Sequence, residues 1–140
     1  MTFHDLPEGS RDLPLTDPTI RADVVDLIVK LEDRRHGCLA LLILDDEDRC
    51  AAPVVVTHMG TPTGDQVEQV CTGVLGHLDV PGLVMAIGRP GGPRTTDEDR
   101  GCHQAVLDFC RDHGVRLLGS YVTTDDDHVV ELPISQRLAS

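Results

Sequence analysis

The sequence predicts an α/β domain of three layers, a mixed sheet with flanking helices in the order α-β-β-α-β-α-β-β. Three observations carry this reading. Apolar residues recur at helical spacing in three separate segments. Cys38–Leu44 is apolar at every position, as in a mid-sheet strand covered on both faces. And 140 residues suffice for one hydrophobic core but not for two.

Taken in order, residues 1–16 hold Pro7, Pro14 and few apolar side chains, and they read as a flexible N-terminal arm. Asp17 suits an N-cap and Pro18 a first helical position, and Ile20, Val24, Leu27, Ile28 and Leu31 form one stripe, so a first helix is predicted over 18–35, stopped by Gly37. After the apolar strand, Asp45 to Asp48 reads as a turn. A second strand follows over 51–56, and Pro53, which lacks a ladder donor, places it at an edge or near a strand start. Thr63 with Gln66 fits a capping box for a second helix over 65–78, with Val67, Val70, Cys71, Val74 and Leu78 as its apolar positions. A short strand over 83–87 empties into a loop rich in glycine, proline and arginine. Thr95 and Thr96, with Glu98 and Asp99 each three residues on, cap a third helix that turns Cys102, Val106, Phe109 and Cys110 inward and ends at Gly114. A hairpin of strands 115–122 and 128–132, turning at Asp125 to Asp127, completes a domain over 17–133, and 134–140 is a tail.

Composition narrows the function. The 24 acidic against 12 basic residues leave a net charge of −12, which repels nucleic-acid backbones and anionic membranes. The longest apolar run falls far short of a membrane span, and Met1 to Ser10 lacks the basic and apolar regions of a signal peptide, so a cytoplasmic location is expected. The cysteines are five, an odd number, and lie in apolar segments, as buried thiols do in reducing compartments. With Phe3, Phe109 and Tyr121 as the only aromatics, no stacking platform for bases or sugars exists.

The loop after the third strand is the most informative stretch. A strand that passes through glycines into a capped helix presents backbone N–H groups and the positive end of the helix dipole. Arg89, Gly91, Gly92, Arg94, Thr95, Thr96 and Asp99 are therefore the candidate anion- or ligand-binding residues. The plainer account is that the glycines and prolines shape a turn and the arginines offset Asp97 and Asp99. A resident metal is not predicted, because no Cys-x-x-Cys or His-Glu-x-x-His occurs and Cys102 with Cys110 is explained by packing. Cys102 and His103 are helix neighbours that project about 100° apart, which makes no thiolate and base pair. The acidic runs at 45–48 and 125–127 lack calcium-loop spacing. No cofactor is expected.

The segment from Val84 through Gly92 and Thr95 to Asp99, continuing to Gly114–Gly119, resembles the JAB domain of RadC-like proteins, and 38–49 looks like that family's first hairpin. The resemblance covers residues 20–132 and implies a JAB/cytidine-deaminase-like fold. In that family a His-x-His-Pro-Ser-Gly motif and the aspartate of a following Pro-Ser-x-x-Asp bind zinc, and a glutamate near the first strand is the general base. With Pro90 as the motif proline, the histidine positions fall on Ile87 and Arg89, Thr96 takes the place of the serine that opens the helix, and Asp99 matches the aspartate. The glutamate position falls near His36 or Gly37. The resemblance therefore implies a metal-free pseudoenzyme, a noncatalytic binding or assembly module whose partner is a second copy, another protein or a small anion. The competing reading is a hydrolase using the same cleft with Asp99, Thr96 and a histidine.

Overall fold

The computed structural model describes residues 13–134. Its elements are α1 (Pro18–Ile28), α2 (Leu31–His36), β1 (Cys38–Leu44), β2 (Cys50–Val56), α3 (Gly64–Leu75), β3 (Gly82–Arg89), α4 (Asp97–His113), β4 (Arg116–Thr124) and β5 (Val129–Leu132). The strands form one five-stranded mixed sheet in the order β2-β1-β3-β4-β5, in which β3 and β4 run parallel and every other neighbouring pair is antiparallel. Alternate residues of the central strands feed two cores. Leu39, Leu41, Met85 and Ile87 meet Val67, Cys71, Val106 and Phe109 of α3 and α4 on one face. Ala40, Leu42, Val84 and Ala86 meet Val24, Val25 and Ile28 of α1 on the other. Sheet and helices thus form an α/β/α stack, with β1 interior and Pro53 on the edge strand β2.

Local chemistry placed most helix ends. The Asp17 carboxylate accepts from the N–H of Thr19, and reciprocal capping boxes join Thr63 to Gln66 and Thr96 to Asp99. Gly114 closes α4 in the left-handed conformation. The predicted single helix over 18–35 is instead two. Val29 leaves the helix in an extended conformation and is fully buried beside Ile28, and its carbonyl, freed from the helical ladder, accepts from Arg34 Nε at 2.9 Å. Leu31, assigned to the core stripe, is consequently exposed. The second helix stops at Leu75 rather than 78, capped by Gly76, and Leu78 also faces solvent.

The third strand is longer than the predicted 83–87. Gly88 pairs with Cys38 on one side and Thr123 on the other, and Arg89 pairs with Thr124, so neighbours on both sides extend the ladder into residues that read locally as loop. The hairpin strands are displaced by one or two residues from 115–122 and 128–132. Leu15, read as part of the arm, is buried and its N–H donates to the Asp48 carbonyl at 2.8 Å, so the packed chain begins before Asp17. The rest of the arm, residues 1–12, and the tail over 135–140 lie outside the described residues. Among the described residues no helix is long and apolar enough to cross a membrane.

Candidate functional site

The parallel pair β3 and β4 delivers its carboxyl ends, the loop over 90–96 and the start of α4 to one end of the sheet. The antiparallel pairing of β1 with β3 brings the start of β1 and the close of β2 to the same end. This is the place where α/β sheets usually bind ligands. Arg89 is the last residue of β3. Strand alternation puts its side chain on the same face as Met85 and Ile87, beneath the first turn of α4, and it is 4 % exposed.

Arginine has five N–H donors in a fixed fork, and all five of Arg89's are used within the chain. Nε and one terminal nitrogen grip the two oxygens of Asp99, each at 2.8 Å. The same terminal nitrogen donates to the Arg94 carbonyl at 2.9 Å. The other reaches the carbonyls of Pro90 at 3.0 Å and Gly92 at 3.1 Å. Asp99, wholly buried, also accepts from the N–H of Thr96 at 2.9 Å and donates its own N–H to the Thr96 hydroxyl at 3.1 Å. Burial pushes the Asp99 carboxyl up, but the bonds from Arg89 and Thr96 outweigh it and hold the group below the usual carboxylate range. Its bond to Asp99 raises the Arg89 pKa in turn.

Of the residues singled out from the sequence, Arg89, Gly92, Thr96 and Asp99 converge through these bonds, and Arg94 joins through its carbonyl alone. The Arg94 side chain is exposed and Thr95 half-buried. Gly91, at φ +106°, donates its N–H to the Asp125 carboxylate at 3.2 Å and so ties the loop to the β4–β5 turn. Arg89 is a buried strand residue rather than an exposed loop arginine. The zinc set implied by the JAB resemblance does not fit here: Ile87 is an apolar core residue, and the Arg89 guanidinium lies on both oxygens of Asp99. Among the described residues no group of three or more His, Cys, Asp or Glu side chains is arranged to hold a metal ion.

The thiols offer no nucleophile. All five are free and buried, and burial pushes Cys38, Cys102 and Cys110 up to about 12 and Cys50 and Cys71 up to about 11. Three features escaped the sequence reading. Arg34 and Arg21 are buried arginines of the opposite face; Arg34 bonds the carbonyls of Val29 and Thr124 and the side chain of Asp26, and Arg21 bonds the Tyr121 hydroxyl and Glu131. His36 and His58 stand together at the same end of the sheet as Arg89, with ring centres 5.1 Å apart. A groove of about 390 Å³ between α3 and α4 is lined by Asp65, Glu68, Asp108 and Asp112 above Ala105 and Phe109. The histidine pair had a readable signal, since a β1–β2 hairpin brings the residues just before the first strand beside those just after the second. The buried arginines had none, because both sit in charged or mixed helical segments.

Neither protein-family models, nor curated proteins, nor solved structures give a match to this chain.

Proposed function

We propose that this chain is a noncatalytic relative of the RadC-like JAB domains that acts as a binding or assembly module. The observation that supports it is the saturated Arg89–Asp99 pair. A guanidinium with every donor satisfied inside the protein serves as a structural bolt, joining the end of β3, the loop over 90–94 and the first turn of α4. The hydrolase reading has less support, since the oxygens of Asp99 are engaged by Arg89 and Thr96, and the Thr96 hydroxyl accepts from the Asp99 N–H. What the loop offers a partner is its outer surface, Gly91, Gly92 and Arg94, all exposed and braced from below.

Thermal melts of the wild type and Arg89→Ala, each with and without phosphate, test the reading. Removing one member of a buried pair costs about 3–5 kcal/mol, so the midpoint should fall by about 10 °C or more, with no dependence on phosphate in either protein. An unchanged or raised midpoint would overturn it, because residues kept for chemistry rather than architecture are commonly replaced without loss of stability. Light scattering of the full chain checks the assembly half: the mass of a dimer supports self-association, and that of one chain rejects it.

A further inference from the structure

We infer that His36 and His58 form a two-histidine site for a divalent transition metal of the borderline class, with zinc as its representative, whose remaining coordination positions are left to water or an external donor. The inference does not rest on the proposed function and shares no side chain with the Arg89–Asp99 pair.

The two imidazoles come from different segments, His36 from the last residue of α2 and His58 from the loop after β2, and both are exposed. Zinc lies about 2.0–2.1 Å from a histidine nitrogen, which puts the metal about 3.2 Å from each ring centre, and two rings meeting it at the tetrahedral angle then stand about 5.2 Å apart. The observed separation is 5.1 Å. The rings are inclined at 35°, so they are not stacked flat upon each other as those of Phe109 and His113 are.

The backbone beneath them is fixed independently of any metal. The N–H of Met59 donates to the Gly37 carbonyl at 2.9 Å, and that of Gly60 to the His36 carbonyl at 3.0 Å. Gly37, at φ +83°, lies so close to Gly60 that a Cβ there would stand 1.6 Å from the Gly60 carbonyl oxygen, so the two segments touch backbone to backbone. His58 itself has φ +59°, in the left-handed region that costs a residue with a side chain on the order of 1 kcal/mol or more. A histidine held in that conformation, against a segment that carries a second histidine, is preorganised at the end of the sheet where α/β folds usually bind ligands. Neutral imidazole suits zinc, copper and nickel alike.

Titration of the full chain with Zn²⁺ alone, followed by calorimetry and by the histidine ring resonances in NMR spectra, tests the site. Uptake of one zinc per chain is expected, with the His36 and His58 rings shifting together. His36→Gln and His58→Asn, the latter chosen because asparagine tolerates the left-handed backbone, should each weaken binding by about tenfold or more, while the exposed His77→Gln leaves it unchanged. Unshifted His36 and His58 rings at saturating Zn²⁺, or binding that survives in the His36→Gln/His58→Asn double variant, would overturn the inference. Matching amide spectra of the variants and wild type without metal establish that the fold is retained.

Discussion

Two buried arginines, Arg34 and Arg89, lie on opposite faces of the same end of the sheet, and they are held by different means. They nearly meet through one residue: Thr124 is the ladder partner of Arg89, and its carbonyl accepts from Arg34 at 3.2 Å. Arg89 is neutralised by Asp99, which has no exposure at all, so both charges of that pair have left water. Arg34 is as deeply buried, but its carboxylates, Asp26 and Asp127, are 50 % and 67 % exposed, and its interior bonds go to the carbonyls of Val29 and Thr124. A buried cation can thus be balanced by a charge brought inside with it or by backbone dipoles and a charge left at the rim. The two arrangements respond differently to loss of the acid.

The largest expected effect sharpens this contrast. Asp99→Ala strands the Arg89 guanidinium beside an empty position and should cost about 3–5 kcal/mol, whereas Asp26→Ala leaves Arg34 with its carbonyls and Asp127 and should cost about 1 kcal/mol or less. Urea titration of the two variants measures the difference, and equal losses would break the comparison. Replacing the pair together, Arg89→Met with Asp99→Leu, should recover most of the loss, because no charge is then left unpaired.

A smaller effect is acid sensitivity. Asp99 is held below the usual carboxylate range in the folded chain, so its contribution is complete above the unfolded-state value of about 4 and drains away as pH falls from there toward the folded value. Melts at pH 7 and pH 3 should therefore show a loss in the wild type that is reduced in Asp99→Asn. An identical loss in both would assign the acid limb to other carboxylates.

The smallest concerns His103. Burial lowers its pKa, and the Pro133 carbonyl, 2.9 Å from Nε2, opposes this only in part; among the described residues the buried Nδ1 has no hydrogen-bond partner. A depressed histidine stabilises the fold fully above its unfolded value of about 6.5, and the contribution declines as pH drops through that value. Between pH 7.5 and 5.5, His103→Gln should show a flatter stability profile than the wild type, by a fraction of the Asp99 effect.

What the sequence revealed follows the range of the forces involved. Helix starts at Asp17, Thr63 and Thr96 and the stop at Gly114 were legible because a cap is made by residues within one turn of one another. The apolar run over 38–44 announced an interior strand for a similar reason. The break at Val29 was not legible, because what holds its carbonyl is Arg34, which also reaches across to Thr124 on β4. Likewise Gly88 and Arg89 read as loop, and only their partners on β1 and β4 make them strand. At the site, Arg89 and Asp99 stood among the candidate ligand-binding residues of the loop, yet whether the guanidinium faced solvent or the interior depended on that same extension of β3 by two residues.

The sheet order carries a consequence for how the chain acquires its shape. β1 with β2, and β4 with β5, are hairpins whose turns each span a few residues, so each is a local pairing with a small loop-closure cost. Neither can reach the other directly. Only β3 touches both, antiparallel on one side and parallel on the other, and Cys38 waits for Gly88 while Gly82 waits for Arg116. Joining the two local pieces into one sheet therefore requires the insertion of a single strand between them, through pairings far more distant in sequence than those of either hairpin, the kind of contact that goes with slow folding among small proteins.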